Sequence, residues 1–148
     1  MNEKDFQEVI QFAIEREIES VDFYTKASRV VKFSGSKELF LDFAKEEQGH
    51  RKLLENIHME RVGQTRIETI PNLRISDYMV DAEFRPEMPY ADILRMAMKR
   101  EERSIQLYHD LKEPVQDEDL KKLFSFLVQE ETKHKYRLEK VYDDEILK

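Results

Sequence analysis

Glu47, Gln48, Gly49 and His50 form a short run that the chain uses twice, since Glu131, Thr132, Lys133 and His134 stand 84 positions later. The same offset relates Glu17 to Glu101 and Tyr24 to Tyr108. Each unit reads Glu, six residues, Tyr, twenty-two residues, Glu, two residues, His. This is an internal repeat whose shared positions are metal-ligand types. On a helix, residues i and i+3 share a face, so each Glu-x-x-His pair can grip one ion. Glu17 and Glu101 complete a set of four carboxylates and two imidazoles, the donor set of di-iron and di-manganese sites in helical bundles. Two divalent ions balance four carboxylates, and two ferric ions joined by an oxo group balance them equally. Such a centre stays neutral in both oxidation states, which limits the cost of burying it. Repeat symmetry assigns Glu47 and Glu131 as bridging, Glu17 and Glu101 as terminal, and one histidine to each ion. Tyr24 and Tyr108 lie two turns beyond the terminal glutamates, placed to donate a hydrogen bond to a ligand carboxylate of the other repeat.

Glutamate makes up 21 of the 148 residues, so a histidine finds one three positions earlier about one time in seven by chance. A third such pair, Glu55 and His58, is present. It falls eight residues past the first, roughly 80° around a helix, and so points away from the core as a surface pair. Two pairs at one offset, each with its own Glu-x6-Tyr, are a different matter. Metal binding is the common explanation.

The elements that must carry these groups can be read from apolar periodicity. Phe6, Ile10, Ala13, Glu17, Ser20, Tyr24, Ala27 and Val31 make one helical stripe, closed by a turn at Ser34-Gly35-Ser36. Phe40, Phe43, Glu47, His50, Leu54 and Ile57 make a second, expected to end near Gly63. From Gln64 to about Met88 the helical pattern is lost, apart from one short helix over Ser76 to Ala82. A third helix starts near Pro89-Tyr90 with Leu94, Ala97, Glu101, Ser104, Tyr108 and Leu111, and Pro114 breaks it. Asp117 is the expected N-cap of the fourth, which carries Leu120, Phe124, Leu127, Glu131, His134, Leu138 and Val141. Phe40, Phe43 and Phe124 read as core packing. Gly49 inside a helix costs ~1 kcal/mol against alanine, and close helix packing is the expected cause. Two short connections flanking one long one describe an all-α fold: a four-helix bundle with a single long crossover between helices 2 and 3.

Composition agrees. Charged residues reach 39 %, glycine and proline together number seven, and mean hydropathy is −0.73, which favours long amphipathic helices over a sheet protein. A single domain over residues 1–148 is expected, with repeat halves at about 3–62 and 89–147. The net charge of −7 argues against nucleic acid as a partner, and no apolar run approaches the ~18 residues that a membrane span needs. The sequence opens without the basic and apolar regions of a signal peptide. A soluble, cytoplasmic protein is expected. The absence of cysteine excludes disulfides, thiol catalysis and thiolate-held metal.

These residues resemble the rubrerythrin-like branch of the ferritin-like superfamily, through Glu17, Glu47, His50, Glu101, Glu131 and His134 with Tyr24 and Tyr108. The resemblance covers nearly the whole chain. It implies a ferritin-like bundle with an oxo-bridged centre of two iron ions, manganese being the alternative, that reacts with hydrogen peroxide or dioxygen. Rubrerythrins append a rubredoxin domain with four cysteines, whereas this chain has no cysteine. The electrons are therefore expected from an external donor, of rubredoxin or reductase type. Rubrerythrins also carry a further glutamate one turn after the third-helix ligand, where this chain has Ser104, matching Ser20 in the first repeat. The ligand set is then the symmetric six-residue one, closer to that of bacterioferritin. Peroxide reduction is the expected activity, ferroxidase activity in iron handling the alternative, and a metal-stabilised bundle without catalysis the third reading. A shell-forming ferritin is not expected, since few residues follow Val141. A homodimer is left open.

The assignment of helix faces can be checked directly. His50→Ala should lower the metal content of the purified protein, whereas His58→Ala should leave it unchanged. Equal losses by elemental analysis would show that the second helix presents a different face.

Overall fold

Four apolar stripes give four long helices. The computed structural model describes residues 3–57, 75–79 and 83–147. Among the described residues the helices are α1 (Glu3–Val30), α2 (Ser34–Glu55), α3 (Tyr90–Lys112) and α4 (Glu118–Glu145), with a 3-10 turn at Ile75–Tyr78. α1 packs along α2 and α3 along α4, giving two antiparallel hairpins that face each other. This is the all-α bundle with one long crossover that the periodicity implies. Among the described residues, no helix is long and apolar enough to cross a membrane.

The core falls into two apolar clusters. Phe6, Ile10, Ala13, Leu54, Leu107, Tyr108, Leu111, Phe124 and Leu127 fill one end. Phe23, Tyr24, Ala27, Phe40, Phe43, Leu94, Ala97 and Leu138 fill the other. Burying one large apolar side chain contributes roughly 1.5–3 kcal/mol, and every helix reaches both clusters, α2 through Leu54 alone in the first and α4 through Leu138 alone in the second. Helix register is therefore fixed at both ends. The level between them is left to whatever the sequence places there.

Helix ends follow local chemistry, with departures from the sequence reading. Asp117 caps α4 as expected, its carboxylate accepting from the backbone N–H groups of Asp119 (2.9 Å) and Leu120 (3.1 Å). Pro89 precedes α3, and its carbonyl accepts from Asp92 and Ile93. The expected turn at Ser34-Gly35-Ser36 is instead the first turn of α2, and extended Phe33 occupies the N-cap without a side-chain bond. Ser36 lies within that turn, and its hydroxyl shares a hydrogen bond with that of Tyr90, 2.5 Å away. Helix α2 stops at Glu55, short of Gly63, with its last turn tightened by a bond from the Ile57 N–H to the Leu54 carbonyl. Gly63 itself and His58 lie outside the described residues, as does the Gln64–Arg74 part of the crossover. The short helix expected over Ser76 to Ala82 is the 3-10 turn Ile75–Tyr78, and residues 80–82 of that expectation also lie outside. Buried Tyr78 donates to Asp110 at 2.7 Å, which pins this part of the crossover to α3.

A further departure concerns Gly49. A Cβ built there meets no atom within 4 Å, so close helix packing does not explain the glycine. Gly49→Ala should therefore raise stability by about 0.5–1 kcal/mol through lower unfolded-chain entropy. Chemical denaturation of the two proteins would measure it; destabilisation would mean that the backbone at this point needs glycine's freedom.

Candidate metal centre

At the level where the two clusters stop, the helix stripes turn polar. Helix α1 presents Glu17, α2 Glu47 and His50, α3 Glu101, and α4 Glu131 and His134. None of the six is more than 3 % exposed. The i, i+3 spacing brings His50 Nδ1 to 3.3 Å from Glu47 Oε1 on its own helix, and bundle packing brings Glu131 Oε1 to 3.1 Å and Glu17 Oε2 to 3.9 Å. His134 Nδ1 repeats the arrangement, 3.6 Å from Glu131 Oε1, 3.2 Å from Glu47 Oε1 and 3.4 Å from Glu101 Oε1. Ligand atoms of Glu17, Glu47, His50 and Glu131 all lie within 4.8 Å of one another, and so do those of Glu47, Glu101, Glu131 and His134. The two groups share Glu47 and Glu131. Each draws three members from one hairpin and the fourth from the other.

The donor atoms facing this space are unpaired. Glu17 Oε2, both oxygens of Glu47 and of Glu131, Glu101 Oε2 and Nδ1 of both histidines have no hydrogen-bond partner. They are close to one another in distance yet misaligned as hydrogen bonds, as groups converging on a third party must be. An unsatisfied buried polar atom costs ~1–3 kcal/mol, and native interiors keep few. So many aimed into one space fit cations bound there, and oxygen and imidazole donors without thiolate suit iron or manganese.

The outer atoms, by contrast, are tied down. Tyr24 donates its hydroxyl to Glu101 Oε1 at 2.5 Å, and Tyr108 donates to Glu17 Oε1. Both bonds cross between hairpins, leaving Oε2 of each terminal glutamate free to face the centre. Burial first, and the facing carboxylates second, push both phenols well above their ordinary value, so each stays a donor. Burial also pushes Glu47 and Glu131 well above the usual carboxylate range, reinforced by the neighbouring carboxylates, and raises Glu17. Burial opposes protonation of the histidines, but the facing carboxylates outweigh it. His50 is raised through Glu131, and His134 is raised to about 9, mainly through Glu101.

Two partners escaped the sequence reading. His134 Nε2 is hydrogen-bonded to Glu46 Oε2, and Phe43 stacks on the His134 ring at 4.0 Å. Phe43 had the pattern of simple core packing. Glu46 is partly exposed and looks like a surface charge, and no pattern in the sequence sets it apart. Glu55 of the third pair sits at the exposed end of α2, away from the centre.

The family model named Rubrerythrin matches residues 8–142. Among solved structures, a hypothetical protein from Pyrococcus furiosus is 26 % identical, with a TM-score of 0.73 over 93 % of this chain and 88 % of that one. A candidate ferritin-like diiron-carboxylate protein from Thermotoga maritima is 22 % identical, with a TM-score of 0.77 over 95 % of this chain and 94 % of that one, a likeness of fold. No curated protein matches significantly.

The raised proton affinities set the pH behaviour of the metal-free fold. A carboxyl whose folded value is raised favours the fold below the ordinary carboxylate range and loses that advantage as pH rises through the raised value. The same sign holds for His134, whose contribution fades as pH approaches about 9. Metal-free protein should therefore melt at progressively lower temperature from pH ~5 to pH ~9. Loaded protein should lose stability at the acid end instead, because protons compete for the ligands. Calorimetry of chelator-treated protein tests this; a metal-free profile that is flat or rises with pH would contradict it.

Proposed function

This chain belongs to the rubrerythrin family, and from that premise we propose that it is a di-iron oxidoreductase that reduces hydrogen peroxide with electrons delivered by another protein. The observation that carries the reading is the pair of four-residue ligand groups sharing Glu47 and Glu131. Two adjacent iron ions, when bound, supply the two electrons that split the O–O bond of hydrogen peroxide, which with two protons yields two waters.

The protein's own part is positional and electrostatic. Glu47 and Glu131 would bridge the two ions, Glu17 with His50 and Glu101 with His134 would complete one position each. Tyr24 and Tyr108 hold the terminal carboxylates by one oxygen, which fixes the direction in which the other points. The apolar clusters above and below, with Tyr108 and Phe124 on one side and Tyr24 and Phe43 on the other, exclude bulk water and confine reaction to the layer between them. Iron is the metal proposed, in keeping with the family, and manganese is the alternative that the same donors would accept. Ferroxidase activity is the second reading, favoured by the symmetric set in which Ser104 stands where rubrerythrins carry a further glutamate.

Anaerobic reconstitution followed by elemental analysis should give two irons per chain. Adding peroxide to the ferrous protein should then oxidise both irons with one peroxide consumed, faster than dioxygen does. Faster oxidation by dioxygen would favour the ferroxidase reading. Bound metal that neither oxidant alters would leave a structural centre and defeat both.

A further inference from the structure

The two candidate metal positions share both bridging carboxylates, yet different groups stand behind their histidines. His134 turns Nδ1 to the centre and gives Nε2 to Glu46, one residue before Glu47 on α2. With Phe43 stacked on its face, the ring is held at its far edge and over its plane. His50 also turns Nδ1 to the centre. The repeat places Glu130 where Glu46 would be expected, but Glu130 faces Lys133 of its own helix at 3.3 Å. Among the described residues, no carboxylate reaches the outer nitrogen of His50. The edge of Phe126 lies beside that ring, with centroids 6.2 Å apart. The repeat differs at this outer level, since Lys133, the partner of Glu130, takes the place of Gly49. Leu127 takes the place of Phe43 and cannot stack, while Phe126 takes the place of Asp42.

A carboxylate on the far nitrogen of a ligating histidine fixes which nitrogen carries the proton, holds the ring plane and raises the basicity of the ligating nitrogen. Resting on the metal-centre reading above, we infer that Glu46 makes the two positions unequal. The position formed by Glu47, Glu101, Glu131 and His134 binds its ion more tightly and fills first. The position formed by Glu17, Glu47, His50 and Glu131 fills second and releases first. Glu46 acts as a positioning residue: it touches His134, with no contact to the ion or the substrate implied.

The test is an anaerobic titration of the metal-free full chain with cobalt(II), followed by visible absorption and calorimetry. Wild-type protein should bind in two resolved steps. Glu46→Ala should weaken the tighter step by about 10–100-fold and leave the weaker one in place, so that the steps merge. Glu130→Ala should alter neither, and Glu46→Ala should add no further loss in a His134→Ala background. Glu46→Ala leaves buried His134 Nε2 without its partner, so the metal-free variant should melt modestly below wild type, and the affinities decide the role. Two equal steps in wild type, or equal losses in the Glu46 and Glu130 variants, would overturn the inference and leave the metal centre standing. A lowered metal-free melting temperature with both affinities intact would assign Glu46 to the scaffold and overturn it likewise. No cobalt binding by wild type would overturn the centre and the inference together.

Discussion

Four carboxylates buried at one level of a helical bundle repel one another and have left water behind, so the fold tolerates them only with positive charge in their midst. That constraint organises the rest of the molecule. It explains why the core is two apolar clusters with a polar layer between them, where a bundle of this length could have had one continuous core. It also explains why the unpaired atoms of Glu17, Glu47, Glu101, Glu131 and the two histidines all face inward. Protons are the alternative source of positive charge. The raised affinities of Glu47 and Glu131 show the metal-free layer drawing on them.

Much of this was legible in the sequence because duplication makes chemistry visible. One Glu-x-x-His pair among so many glutamates says little. Two pairs that share an offset with two Glu-x6-Tyr pairs specify which faces are internal, and the apolar stripes then give the helices that carry them. The crossing bonds from Tyr24 to Glu101 and from Tyr108 to Glu17 follow the same logic, since two turns along one helix reaches the level of the opposite hairpin's terminal ligand.

What the sequence concealed was set by competition between partners. Ser36 reads as part of a turn, but it falls in the first turn of α2, and its hydroxyl is paired with that of Tyr90, 54 positions away. Gly49 suggested a close approach of helices, but whether a neighbour stands opposite is a tertiary fact, and none does. Glu46 is invisible to pattern because a partly exposed glutamate beside another on a charged helix is the commonest thing in this chain. Only the placement of His134 on a different hairpin gives it meaning. Repeat symmetry would even have misled here, by giving Glu130 the same part.

The hairpins divide the ligands in a telling way: three groups of each position sit on one hairpin, and one bridging carboxylate reaches over from the other. Residues 56–89 supply none of the six ligands. The crossover thus serves the centre as a tether, turning the meeting of two half-sites into an intramolecular event at an effective concentration in the millimolar range or above. Bound ions would act as a clasp across the seam between hairpins, joining what the turns at 31–33 and 113–117 do not. Losing the clasp would loosen hairpin from hairpin before helix from helix, because the interfaces within each hairpin are far more extensive than those between hairpins. The seam, and not any single helix, is where this molecule would breathe.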